Sequence, residues 1–151
     1  MKKISNIHKL SITALILIFT LISCDNDDQE GSPVLGTWKA AKTMTISGNN
    51  GVILLQNPIT GCSAGATYDF RANGDFEYRS SCTSSWETGT FKYSEDSMVI
   101  TLYINVDGGD NEMGTETLYS LTASEMQTIT GKSDYDHDGV QDTSVIVYTR
   151  Q

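Results

Sequence analysis

Residues 68–79 read Tyr68-Asp69-Phe70-Arg71-Ala72-Asn73-Gly74-Asp75-Phe76-Glu77-Tyr78-Arg79. Aromatic residues at 68, 70, 76 and 78 alternate with charged ones at 69, 71, 75, 77 and 79. That is the period-two pattern of strands with one face buried and one in water. Asn73-Gly74 between them predicts a tight two-residue hairpin with both turn residues at positive φ. Two antiparallel strands sharing an aromatic face are the starting point, and the same period extends in both directions.

Toward the N-terminus, Trp38, Ala40, Met44 and Ile46 alternate with Thr37, Lys39, Thr43 and Thr45, a strand opening after Gly36. Residues 47–65 are irregular. Gly48-Asn49-Asn50-Gly51 and Pro58 frame the apolar run Val52 to Leu55, for which three readings stand: an edge strand, a helical turn or a lid. Toward the C-terminus, Trp86 to Tyr93 is a strand turned back by Ser94-Glu95-Asp96-Ser97. Met98, Ile100, Leu102 and Ile104 share the clearest strand face, and Asp107 to Asn111 reads as a polar loop. Glu116 to Leu121 and Met126 to Thr130 pair across a Thr122-Ala123-Ser124 turn. Val145, Val147 and Thr149 alternate with Ile146 and Tyr148 in the last strand. No helical segment separates these eight strands, so parallel βαβ units are excluded and the class is all-β. Eight strands joined as successive hairpins predict an antiparallel up-and-down β-barrel, which removes exposed edges. A barrel of that size holds side chains or one small ligand.

The whole chain has 151 residues, enough for one domain. Lys2, Lys3 and Lys9 precede Leu10 to Ile22, thirteen mostly apolar residues. As a helix that run rises about 20 Å, short of the roughly 30 Å membrane core, so it reads as a secretion signal. Leu21-Ile22-Ser23-Cys24 resembles a bacterial lipobox. The resemblance implies that residues 1–23 are a lipoprotein signal peptide and that Cys24 carries a diacylglyceryl group and further acylation such as palmitate. Two or more chains anchor a protein stably where one does not. Residues 24–33, with Asp25, Asp27, Asp28 and Glu30, then form an acidic tether too polar to fold, and residues 34–151 form the barrel domain. Aspartate after a lipidated cysteine resembles both an inner-membrane retention signal and a surface-export signal. Four acids within six residues favour the outer membrane or cell surface of a Gram-negative bacterium.

Removing the signal takes three of the 10 basic residues and none of the 19 acids, leaving 7 against 19, a net of −12. So negative a surface repels phosphate backbones and excludes nucleic acid as a partner. His137 is then the remaining histidine, which leaves triads and His-rich metal sites without material. Glu87, Glu95 and Asp96 do not announce a hydrolase pair, and Ser80, Ser81, Ser84 and Ser85 have no base to activate them. Enzymatic activity is not expected. With Cys24 lipidated, Cys62 and Cys82 are left in an oxidising compartment and are expected to form a structural disulfide.

Gly36-Thr37-Trp38 at the start of the first strand resembles the G-x-W signature of lipocalins. The spacing of Tyr68-x-Phe70, Asn73-Gly74, Gly89-Thr90-Phe91 and Met98 to Leu102 is similar to that of small lipocalin-like lipoproteins of Gram-negative bacteria. The resemblance implies a barrel with the tryptophan across its closed end, and a monomer is expected. It also implies a small hydrophobic or amphipathic ligand held among Trp38, Phe70, Phe76, Tyr78 and Tyr103, with residues 47–65 as a lid. The T-D-Y and arginine elements of lipocalins and the C-terminal helix of the animal members have no clear counterpart. The aromatics equally suit a filled barrel with no cavity. The alternative is therefore an interaction module with a solid barrel and exposed binding loops.

Asp134-Tyr135-Asp136-His137-Asp138-Gly139-Val140-Gln141-Asp142 has the D-x-D-x-D-G-x-x-D spacing, which resembles the calcium loops of EF-hands and thrombospondin type 3 repeats. Alternate carboxylates of Asp134, Asp136 and Asp138 would converge on Ca2+, with the Val140 carbonyl and Asp142 completing the set. Val145 stands where an EF-hand has its bidentate glutamate. A solvated hairpin loop is the competing reading, and His137 sits at a non-ligating position.

Overall fold

The computed structural model of the chain describes residues 31–83, 86–106 and 109–151, without the side chains of residues 105, 106 and 109–113. The signal peptide, Cys24 and the acidic run after it lie outside the described residues, as do Ser84, Ser85, Asp107 and Gly108. The described strands are β1 (Gly36–Ile46), β2 (Ile53–Pro58), β3 (Thr67–Phe70), β4 (Asp75–Arg79), β5 (Trp86–Ser94), β6 (Val99–Val106), β7 (Gly109–Leu121), β8 (Glu125–Ser133) and β9 (Asp142–Arg150). All pairings are antiparallel. β3 to β9 pair in sequence order, β1 pairs with β3, and β1 also pairs with β9, so eight strands close into the expected barrel.

β2 is the additional strand. It lies end to end with β3 along one edge of β1, β2 against residues 42–46 and β3 against residues 36–39. Residues 59–66 leave the ladder between them through a 3-10 turn, Gly61–Gly65. The edge-strand reading therefore holds from Ile53 onward, with Val52 closing the turn through a Ser47 N–H to Val52 O bond of 2.8 Å. The Cys62–Cys82 disulfide, with Cα atoms 4.8 Å apart, ties this excursion to the chain beyond β4.

Two local expectations fail for physical reasons. The 71–74 turn is not a two-residue hairpin: Arg71 N–H reaches Asp75 O and Gly74 N–H reaches Arg71 O, and only Gly74, at φ 85°, is left-handed. A four-residue turn needs positive φ at its last residue alone. The polar run from Gly109 is strand, because β7 continues its ladder with β6 as far as Val106↔Gly109. Polar side chains do not prevent backbone pairing.

Strand direction sorts the connections into two ends. Turns 71–74, 95–98 and 122–124 gather with Arg150 and the entering residues 31–35 at the Trp38 end. Turn 47–52, excursion 59–66 and loop 134–141 gather at the other, the loop end. At the Trp38 end the indole is fully buried, and its Nε1–H donates to Val34 O at 2.7 Å. The Arg150 guanidinium lies 4.2 Å from the ring centroid and donates to the carbonyls of Leu35, Pro33 and Ala123. Arg150, on the last strand, thus closes this end of the barrel.

The core there is Val34, Trp38, Ala40, Phe70, Phe76, Phe91, Ile100, Leu102, Leu118, Met126 and Tyr148. Each large apolar side chain buried in it contributes about 1.5–3 kcal/mol. Gly89 faces inward opposite Phe76, and a Cβ there would run into the Tyr103 carbonyl as well as the Phe76 ring, so the close approach of β6 requires glycine. Met44 and Ile46 do not join this core, although they keep step with Trp38 and Ala40 in sequence. A bulge between Ala40 and Lys42 reverses the alternation. Met44 and Ile46 instead pack with Val145, Val147 and Ile129 on the opposite face of β1 and β9.

Candidate functional site

Cross-strand partners share a face, so the pairings identify the inward positions at each height of the barrel. Nearer the loop end their character changes. On β3, Tyr68 is one inward step above Phe70; on β4, Tyr78 is one above Phe76. On β7, Glu116 is one above Leu118 and faces inward beside Ile100. On β8, Thr128 is one above Met126, and on β1, past the bulge, Thr43 and Thr45 follow Trp38 and Ala40. Glu87 on β5 faces inward across from Tyr78 and is exposed at the rim. The interior is an apolar core below and a polar inner layer above, in which Thr128 and Thr45 are buried and Tyr68, Tyr78 and Glu116 are half-buried.

Three tyrosines meet where this layer joins the core. The Tyr68 ring lies 4.8 Å from Tyr78 and 5.8 Å from Tyr148, and stacks on Phe70 at 5.6 Å. Burial pushes the Tyr148 hydroxyl up to about 12, assisted by the Glu116 charge and opposed by a hydrogen bond with Thr128. Burial raises Tyr68 further, with added pressure from Tyr148, Glu116, Tyr78 and Glu87. Burial alone holds the Glu116 carboxyl above its ordinary range.

Of the residues expected to hold a ligand, Trp38, Phe70 and Phe76 are core, each 3% exposed or less. Tyr78 belongs to the inner layer. Tyr103 does not, because it sits between the inward Leu102 and Ile104 and pairs with Thr90 on the other face. Tyr68, Tyr148 and Glu116 were not among the expected ligand residues. Tyr68 was legible as the partner of Tyr78. Glu116 was not, because one acid on an amphipathic strand reads as solvent-facing. The candidate acids Glu95 and Asp96 lie in the turn at the Trp38 end, with Glu87 at the loop end, so strand length separates them.

In the acidic loop, the structure brings three of the expected metal ligands together. One carboxylate oxygen from each of Asp134, Asp136 and Asp138 lies within 4.8 Å of the others. His137 and Gly139 take the left-handed conformations that turn the loop, at φ 62° and 87°. Gly139 N–H donates to Asp134 at 3.1 Å, Asp138 N–H to Asp136 at 3.2 Å and Val140 N–H to Asp138 at 2.8 Å. The Asp134 Oδ1 atom is shielded from solvent and has no hydrogen-bond partner.

Asp142, grouped with the ligands by spacing, is instead a buried structural carboxylate. Its Oδ1 accepts from Gly48 N–H at 3.0 Å, and its Oδ2 accepts from Tyr135 and Asp136 N–H at 2.7 and 3.4 Å. These bonds, Gly48's foremost, hold its carboxyl below the usual range. It fastens the 47–52 turn to the acidic loop. A Cβ on Gly48 would lie 2.1 Å from Gln141 O, so only glycine permits this approach. Asn49 adds a 3.1 Å bond to Asp138. Residues 47–52 are therefore docked on a neighbouring loop, which differs from the lid expected over 47–65.

A family model described as a lipocalin-like domain matches residues 34–128. The match spans β1 to the first half of β8 and ends before the acidic loop. No curated protein and no solved structure matches the chain.

Proposed function

The chain belongs to the lipocalin-like domain family, and on that premise we propose that it is a lipid-anchored binding protein of the bacterial envelope. It captures a small amphipathic molecule at the loop end of the barrel and does no chemistry on it. The observation that carries this reading is the change in the inward face from a packed apolar core to the half-buried Tyr68, Tyr78 and Glu116. Such an arrangement offers aromatic faces beside hydroxyls and a carboxyl that orient a ligand. A barrel packed throughout would favour the interaction module instead.

Anchoring at Cys24 fits the geometry. The chain enters the barrel at the Trp38 end through the buried Val34, so a tether at that end leaves the loop end free to face away from the membrane. The Cys62–Cys82 disulfide suits an exported protein. The acidic loop is proposed as a calcium site built on Asp134, Asp136 and Asp138 with the Val140 carbonyl, on the strength of their convergence and the unpaired Asp134 oxygen. Calcium there stiffens the β8–β9 hairpin at the rim.

Native mass spectrometry of residues 25–151, exported and purified without detergent, tests capture. An organic mass that survives gentle ionisation and leaves on activation supports it. A bare chain turns the assignment to the interaction module. Calcium in the same buffer adds one ion per chain, and Asp136→Asn removes it.

A further inference from the structure

Charge is unevenly distributed over the outside of the barrel. On β1, β3, β4 and β5 the side chains that alternate with Trp38, Phe70, Phe76 and Phe91 point away from the core. Lys39, Lys42, Arg71, Arg79 and Lys92 belong to this outer face, five of the seven lysines and arginines of residues 34–151. Asp69, Asp75 and Glu77 are its acids, three of fifteen, so the rest of the domain sets two bases against twelve acids. One face is therefore net positive on a strongly negative chain, and it draws anions that the remaining surface repels.

The same face has room and unpaired donors. Glu77, 8% exposed, accepts from both Arg71 and Arg79 and holds the two guanidinium groups in place. A cleft of about 180 Å³ is lined by Thr37, Thr67, Asp69, Glu77 and Arg79. A second, of about 270 Å³, is lined by Arg71, Asp75, Thr88 and Thr90 with Phe76 and Gly89. Among the described residues, Arg71 Nη1, both Nη atoms of Arg79 and the hydroxyls of Thr67, Thr88 and Thr90 have no hydrogen-bond partner. At the loop-end corner Trp86 is 68% exposed, more than any other large apolar side chain described, and the Arg79 guanidinium lies 5.6 Å from its ring centroid.

We propose that this outer face binds an acidic oligosaccharide. A pyranose has an apolar C–H face and a rim of hydroxyls, so it stacks on an indole while its rim reaches polar groups beside the ring. Carboxylates on the sugars meet Arg79 and Arg71 in charge-assisted bonds, and hydroxyls meet Thr88 and Thr90. The outward row Trp86, Thr88 and Thr90 runs about 13 Å, the length of about three sugar rings. A flat anionic bilayer would leave both clefts unfilled, which favours a chain of sugars as the occupant. The site is outside the barrel and does not depend on capture within it.

The test is saturation-transfer NMR with the full-length chain in phosphatidylcholine nanodiscs and calcium-free buffer, empty nanodiscs serving as the blank. The probes are tetragalacturonate and its neutral methyl ester. The acid is expected to bind about ten-fold more tightly than the ester, the scale of one charge-assisted hydrogen bond. Trp86→Ala should weaken both probes about ten-fold, and Arg79→Gln should remove the preference for the acid. Lys39→Gln leaves the Glu77 pairs intact and should lower that preference about two-fold, which keeps the test decisive if Arg79→Gln does not fold. Lys132→Gln, on the outer side of β8, should change nothing. Silence of both probes overturns the proposal, as does equal binding of acid and ester. Weaker binding in Lys132→Gln but not in Trp86→Ala overturns the placement. A Trp86 fluorescence shift on adding phosphatidylglycerol to the nanodiscs, with no response to either sugar, gives the face to the membrane instead.

Discussion

The two ends of the barrel use the same architectural material for opposite purposes. At the Trp38 end the turns are short, the inward side chains are apolar, and Arg150 closes the base by holding three carbonyls and the indole at once. At the loop end the inward side chains are phenols, hydroxyls and carboxyls. Order there comes from connections outside the barrel: the Cys62–Cys82 bond and the carboxylate of Asp142. Apolar packing is concentrated at the Trp38 end, and the loop end is braced from outside the barrel.

The largest expected effect follows at the core. Trp38→Ala removes a fully buried indole and its bond to Val34, and should cost about 3–5 kcal/mol in chemical denaturation. Tyr78→Ala, at a half-buried position, should cost about 1–2 kcal/mol by the same assay, because part of that side chain already meets water. Equal costs at the two positions would erase the distinction between core and inner layer.

The brace comes next. Replacing Cys62 and Cys82 by serine should cost about 3 kcal/mol, as closing a loop of this length predicts under the chain-entropy model. Because the bond staples the 59–66 excursion, faster hydrogen exchange is expected first in β2 and in Thr67 to Phe70. Exchange at Trp38 and Arg150 should be least affected. Uniform acceleration through the barrel would mean that the loop end is not separately braced.

Much of this division could be read from residues alone, and the parts that could not share a cause. Tyr68 to Arg79 marks two strands and their faces because alternation is a local property. The eight barrel strands follow from the same alternation, the disulfide from elimination among the cysteines, and Trp38's place at the closed end from the lipocalin resemblance. The β1 bulge inserts one residue that no side-chain pattern marks, so Met44 and Ile46 stay in step with Trp38 by number and leave it in space. Tyr103 fails as a ligand residue because aromatic character says nothing about face until its neighbours Leu102 and Ile104 are placed. Glu116 and Arg150 depend on partners tens of residues away, and Asp142 shows that ligand-like spacing does not decide what a carboxylate faces.

Asp142→Asn probes the brace more gently. The folded carboxyl is held below its ordinary range, so its contribution is complete above that range and disappears as pH falls through the folded value. The variant should melt about 5 °C lower at pH 7, with the gap closing under acid conditions. Exchange should quicken at Gly48 and Tyr135, whose amides it holds. A gap independent of pH would mean that the asparagine loses packing rather than charge.

The smallest effect has the opposite sign. Burial raises the Glu116 carboxyl, so the folded state holds its proton more tightly than the unfolded chain does. Its cost to folding is therefore absent below the ordinary carboxylate range and grows as pH rises through the folded value. Glu116→Gln should leave stability nearly unchanged at pH 4 and raise it slightly at pH 8, measured by paired melts across that interval. A residue kept at some expense to the fold is what a binding site requires and an apolar core does not. If the glutamine variant were instead less stable at pH 8, the Glu116 charge would be compensated inside the barrel, and the loop end would resemble the Trp38 end in being satisfied without a ligand.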